Sequence, residues 1–276
     1  MRIGITSYLN CLPIHYGLDS QVQVLLSSPQ DLRRMLLAKE IDFAQISLLD
    51  YLKNQDQLEL YDRFWVIASG LEIRSVLLVT NQPIESFHSL STVFLTSESA
   101  TANRLCEILL EGRYQKKPTF HRKNISLGDL DLLAETDLPC GLTLIGDLAL
   151  DLLYTSRIDP QYDHLHIYDL HKLWRLWMQL PFPFAVFASW RGVQLKEEKT
   201  FQMIQQNLIK NLQTPQYFLN YLTDSAQGLK FSYTFLEEYY NLLSYSPSVN
   251  DWDAILRFAE LAHHPLMSRA SRLISF

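Results

Sequence analysis

The chain has 276 residues, enough for one large domain or two of roughly 100–150 residues, each with its own core. Its 47% hydrophobic and 20% charged residues exclude a disordered or fibrous chain, and a net charge of −6, from 24 Lys and Arg against 30 Asp and Glu, argues against a broad nucleic-acid-binding surface. The three widely separated cysteines, Cys11, Cys106 and Cys140, suggest neither a disulfide framework nor a Cys-x-x-Cys metal site.

The opening Met-Arg-Ile-Gly-Ile-Thr lacks the basic and apolar segments of an export signal. No run approaches the roughly 20 apolar residues of a membrane-spanning helix. A cytoplasmic protein without membrane attachment is the expectation. The first strand candidate is Arg2–Thr6, followed by the polar turn Ser7, Tyr8, Leu9, Asn10 to Pro13. Residues 22–26 are a second β-rich run. Ser28-Pro29-Gln30-Asp31 then offers an N-cap, a proline at the first helical position and an acid at the third, with Leu32, Met35 and Leu36 on one helical face. Residues 41–46 repeat the strand, and Ser47 with Asp50 repeats the capping spacing. Strand alternating with helix predicts an α/β layer structure.

Residues 60–68 and 76–80 read as strands around the connection 69–75. A strand at 93–96 begins another unit, whose helix aligns Ala102, Leu105, Cys106 and Leu109, so Cys106 reads as a core residue. Strands at 119–121 and 142–145, with helices at 127–134 and after Gly146-Asp147, continue the alternation. The latter helix is expected to turn Leu148, Ala149, Leu152 and Leu153 inward. A short strand at 166–168 and a helix at 170–179 follow, and Pro181-Phe182-Pro183 breaks that helix before the strand 184–190. From residue 197 the rhythm changes to helices, expected at 197–212, 233–244 and 251–262. The resulting division is a middle α/β lobe at 82–184 flanked by 1–81 and 185–276, which form one discontinuous lobe. Two ordered crossovers join the lobes and permit hinge closure over a cleft.

Several chemistries lack their local marks. There is no Gly-x-Gly-x-x-Gly or P-loop segment, no His-Glu-x-x-His and no EF-hand loop. His263 and His264 are adjacent and point in different directions on a helix, which does not build a metal site. Asp129, Asp131, Glu135 and Asp137 read as a solvated helix and loop, and Trp174 with Trp177 as helix packing. The stronger signal is polar residues at strand-to-loop junctions, where an open α/β sheet meets its ligands. Ser7, Tyr8 and Asn10 follow one strand, Ser47 another, and Thr96, Ser97, Ser99 and Thr101 a third, while Ser75 directly precedes a β-rich run. Each alone is explained by capping or turn formation; their recurrence points to an anion-binding cleft.

The segments Ile5-Thr-Ser-Tyr-Leu-Asn-Cys-Leu-Pro13, Asp42-Phe-Ala-Gln-Ile-Ser47, Gly70-Leu-Glu-Ile-Arg-Ser-Val-Leu-Leu78, Leu95-Thr-Ser-Glu-Ser-Ala-Thr101 and Leu144-Ile-Gly-Asp-Leu-Ala149 carry a more specific likeness. With Tyr168-Asp-Leu, Leu180-Pro and Phe184-Ala185 they span about residues 2–191. The chain resembles the chorismate dehydratase family of the futalosine route to menaquinone, and its departures are Cys11 at a position often held by a small hydroxyl residue, Ala102 where Ser is common, and Met178-Gln179 in place of Thr-Gly. The resemblance implies the two-lobed fold of type 2 periplasmic binding proteins, with an interlobe cleft. It implies chorismate as substrate, 3-[(1-carboxyvinyl)oxy]benzoate and water as products, and neither a redox cofactor nor a metal. It also implies that Asn10 and Ser75 do the catalytic positioning. Ser97, Ser99, Thr101 and Ser47 would bind the substrate carboxylates, Arg74 would add charge, and Asp147 would support the lobe interface or cap a helix. The oligomeric state, monomer or homodimer, stays open. Alternative readings are an intracellular solute-binding or sensor protein for a small carboxylate, and the sister futalosine-pathway enzyme.

Overall fold

The computed structural model describes residues 1–157, 159–225 and 230–263. The N-terminal units form as their local signals dictate. Strands β1 (Arg2–Thr6), β2 (Gln23–Ser27) and β3 (Phe43–Ser47) run parallel because helices connect them. Ser28 caps the helix Pro29–Leu37 by accepting the Asp31 N–H. Ser47 caps Leu48–Lys53 by accepting from the Asp50 N–H at 3.1 Å while its hydroxyl donates to the Asp50 carboxylate at 2.7 Å. Leu32 and Leu36 bury the inner face of the first of these helices. Gly4 lets that helix approach the sheet, since a Cβ there would lie 2.6 Å from Leu32 and 2.7 Å from Ile41.

The chain then builds β4 (Leu58–Ala68), β5 (Val76–Thr80), β6 (Thr92–Thr96), β7 (Thr119–Lys123), β8 (Cys140–Ile145), β9 (His166–Asp169), β10 (Ala185–Trp190) and β11 (Leu243–Ser244). One sheet has the order β11-β4-β10-β3-β1-β2 and the other β7-β6-β8-β5-β9. The expected lobe boundary after residue 81 is corrected here, because β5 pairs antiparallel with β8 and β9 and so lies in the second sheet. A five-residue apolar run suits the centre of either sheet, and only its partners decide which. Segments 69–75 and 179–184 are the two crossovers. Asp169 secures the first by accepting the N–H groups of Ile73 (2.9 Å) and Arg74 (2.7 Å) while it caps the helix Leu170–Met178.

After β10 the chain is mainly helical: Glu198–Gln213, Pro215–Asp224, Tyr233–Asn241 and Val249–Leu261. The helix Pro215–Asp224 was not anticipated, although Pro215 stands at its first position. The helix expected to reach 244 stops at Asn241, since Leu243 and Ser244 pair with Ala68 and Ile67 on β4. Phe43 packs against Phe187, Tyr61 and Phe201 at centroid distances of 5.3, 5.4 and 4.7 Å, and Phe201 thereby locks the helix Glu198–Gln213 to the first sheet. Each such buried ring contributes about 1.5–3 kcal/mol. Cys106 and Trp174 are fully buried, as packing residues should be, and Trp174 donates its indole N–H to the Pro181 carbonyl at 3.0 Å. Leu150 is fully buried beside Ala149 and Leu152, whereas Leu148 and Leu153 are half-buried, so the inward face of that helix is rotated from the expected one. His264 lies outside the described residues. Among those described, no helix is long and apolar enough to cross a membrane.

Candidate functional site

The C-terminal ends of β1, β3 and β8 and the start of β5 enclose a cleft between the two sheets. Asn10, Ser47, Ser75 and Ser99 all line it, joined by Thr6, Tyr8 and Gln45, with Ile73, Val76, Ile145 and Phe184 as apolar walls. No lining residue carries a charge. The space inside it is about 70 Å³, below the roughly 300–1,000 Å³ of a ligand pocket.

The turn that carries Asn10 is held from three sides. The hydroxyl of Tyr245 donates to the Asn10 carbonyl at 2.7 Å, and that of Tyr240 to the Leu9 carbonyl. The Leu9 N–H donates to Asp147 Oδ1 at 2.9 Å, which ties the first sheet to the second. The hydroxyl of fully buried Tyr239 meets the side chains of both Ser75 and Asn10. Burial pushes its acidity far below that of an ordinary tyrosine, and the neighbouring Ser75 and Asn10 side chains oppose only part of the effect. Tyr8 reaches across the cleft to donate to Glu98 Oε2 at 2.5 Å. Its ring lies on Gly146, whose φ is +59° and whose absent Cβ would sit 2.5 Å from Tyr8 Cδ1. Burial first, and the Glu98 hydrogen bond second, raise the Tyr8 hydroxyl well above its usual range. Burial also pushes the Cys11 thiol up to about 12. Both therefore stay protonated at neutral pH.

Three of the sequence candidates lie elsewhere. Arg74 has φ +61°, and its guanidinium is engaged by Glu72 at 3.7 Å and Glu238 at 3.3 Å, away from the cleft wall. Ser97 donates to Asn124 Oδ1 at the edge of the second sheet. Thr101 is fully buried, and its hydroxyl accepts the Leu49 N–H at 2.8 Å, binding one lobe's helix to the other's. Asp147 is the lobe-interface support that its position suggested. Among the described residues no group of three His, Cys, Asp or Glu side chains converges to hold a metal ion.

A family model described as menaquinone biosynthesis matches residues 1–264. The chain belongs to the menaquinone-biosynthesis family. A chorismate dehydratase from Thermus thermophilus is 33% identical over 196 residues, covering 67% of this chain and 68% of that protein. A solved protein of Archaeoglobus fulgidus superposes with a TM-score of 0.70 at 14% identity, over 95% of this chain and 96% of that one. The periplasmic aliphatic sulphonate binding protein SsuA of Escherichia coli gives 0.63 at 10% identity, over 95% and 86%. This member of the menaquinone-biosynthesis family therefore has the two-lobed fold of periplasmic binding proteins. Sequence reasoning missed Tyr239, Tyr240 and Tyr245, because all three come from the C-terminal helical segment, which read only as completion of the first lobe. Adjacent tyrosines at 239 and 240 in a helix, where one face alone can be core, were the available signal.

Proposed function

We propose that this cleft dehydrates chorismate to 3-[(1-carboxyvinyl)oxy]benzoate, as a carbon–oxygen lyase in menaquinone biosynthesis. The observation that carries the reading is the convergence of Asn10 and Ser75 on the Tyr239 hydroxyl, within an uncharged cleft of a chain 33% identical to a chorismate dehydratase. In the reaction the ring C3–H bond and the C4–O bond break, and the hydroxyl departs as water. The elimination is redox-neutral, and aromatisation drives it. With no ionisable side chain in the wall near neutral pH, the C3 proton passes to the substrate's own enolpyruvyl carboxylate and from it to the departing hydroxyl, which leaves as water. The protein's part is then to hold that carboxylate against the C3–H bond and to stabilise the charge that develops. Asn10 orients the departing hydroxyl through its amide and Ser75 donates to a carboxylate. Ser99, which begins a helix beside the cleft, supplies a further donor, whereas the Ser47 hydroxyl is committed to the Asp50 carboxylate and holds the helix that follows it. Thr101, Ser97 and Arg74 act through the elements they hold. The lobes that close are residues 1–75 with the chain from 185 onward, and residues 76–184.

Purified protein incubated with chorismate should form a product lighter by one water, resolved by liquid chromatography and mass. Asn10→Ala and Ser75→Ala should each cost roughly 1.5–3 kcal/mol in kcat/KM, about 10- to 150-fold, with circular dichroism unchanged. Near-normal kcat/KM in both folded variants would overturn the site. A second reading, a carboxylate-binding protein without turnover, draws on the fold shared with SsuA. Saturable chorismate binding with no product would favour it.

A further inference from the structure

Gln45 stands on β3 two residues before Ser47, on the same face of the strand, and lines the cleft while only 2% exposed. Its Oε1 is claimed three times. The Thr6 N–H donates to it at 3.3 Å, the Thr6 hydroxyl donates at 2.5 Å, and the Cys11 thiol lies within donating distance at 3.0 Å. A backbone N–H can only donate, so the amide cannot turn over without setting its NH2 against the Thr6 N–H. The orientation of the side chain is therefore determined by its neighbours. Its Nε2 has no hydrogen-bond partner among the described residues, and the side chain forms part of the cleft wall. The same Cys11 sulfur is 3.2 Å from Asn10 Oδ1, so one thiol stands between the two amides of the wall.

We infer that Gln45 is a substrate-positioning donor whose NH2 holds a carboxylate oxygen of the bound acid, with Thr6 and Cys11 as the residues that aim it. This rests on the dehydratase reading. In a wall without a cation, a neutral amide presenting two N–H groups donates to an anionic oxygen and rejects any substrate that brings its own donor to the same point. The clamp acts on the ring carboxylate, which does not take up the proton and keeps its charge through the elimination, so it contributes equally to the bound substrate and to the transition state. Its loss therefore appears in KM.

The test is steady-state chorismate kinetics on wild type, Gln45→Glu, Cys11→Ala and Cys11→Ser, with thermal midpoints measured beside them. Gln45→Glu keeps an acceptor for the Thr6 groups and replaces the donor by a negative oxygen. It should raise KM by about 10- to 100-fold with kcat within roughly threefold. Cys11→Ala should raise KM by about two- to fivefold, and Cys11→Ser, which restores a donor, should bring it back. A purely structural role would lower the thermal midpoint and leave KM in place. A folded Gln45→Glu with KM within twofold of wild type overturns the inference. If that variant fails to fold, the Cys11 pair decides: KM that rises with Ala and recovers with Ser supports the inference, and equal KM in all three overturns it. Wild type that never converts chorismate overturns the dehydratase reading and this inference together, whereas active wild type with an unmoved KM in the variants overturns this inference alone.

Discussion

Replacing Tyr239 by Phe keeps a buried ring in place and removes only the hydroxyl that meets Ser75 and Asn10. One such hydrogen bond is worth about 1 kcal/mol, so kcat/KM for chorismate should fall roughly fivefold while circular dichroism is preserved. An unchanged kcat/KM would show that Asn10 and Ser75 need no help from the C-terminal helices. Asn10 and Ser75 were legible because a polar residue at a strand end has a recognisable local setting. Tyr239 was not, since its meaning depends on which residues the fold lays against it. Arg74 failed for a related reason. Strand alternation leaves two directions open, and the left-handed turn at φ +61°, secured by Asp169, sends the side chain to Glu72 and Glu238.

Helix starts read well because their chemistry is local. Ser28 and Ser47 cap where their spacing to Asp31 and Asp50 indicated. Helix ends are less local: Gln179 closes the helix Leu170–Met178 at φ +59°, the conformation that favours the glycine it replaces. Gly146 is the element-scale test of the cleft. Gly146→Ala meets both a left-handed backbone and the Tyr8 ring at 2.5 Å. The backbone alone costs about 1–2 kcal/mol, which should lower the thermal midpoint by roughly 2–6 °C. Displacing Tyr8 should also break its hydrogen bond to Glu98. A variant with wild-type thermal midpoint and wild-type chorismate KM would show that Tyr8 does not depend on this glycine.

At the scale of the whole molecule, the hydrogen bonds that link the lobes at the cleft include Tyr8 to Glu98, the Leu9 N–H to Asp147, the Leu49 N–H to Thr101 and the Gly146 N–H to the Ser75 carbonyl. The crossover itself carries an acid-sensitive contact, since His171 Nε2 meets the Gly70 carbonyl at 3.2 Å. Burial lowers His171 from 6.5 to about 4, and burial lowers His15 likewise. The folded chain thus binds fewer protons than the unfolded one between these values. The stabilisation is complete above pH 6.5 and is lost as pH falls toward 4, with a slope approaching about 1.4 kcal/mol per pH unit for each histidine. Urea midpoints should drop between pH 7 and pH 5, and His171→Gln should reduce that slope. Midpoints independent of pH over this range would refute the buried neutral histidines.

The sequence by itself determined the alternation of strands and helices, the polar strand ends that line the cleft and the family to which the chain resembles itself, because caps, periodicity and motif order are properties of neighbours along the chain. Only the tertiary structure decided that β5 joins the second sheet, that Thr101 ties the lobes together, that Gln45 meets Thr6 and Cys11, and that Tyr239 lies against Asn10 and Ser75. Each of these is a contact between segments far apart in sequence. Its partner is selected by how the sheets pair and pack, which no local pattern encodes.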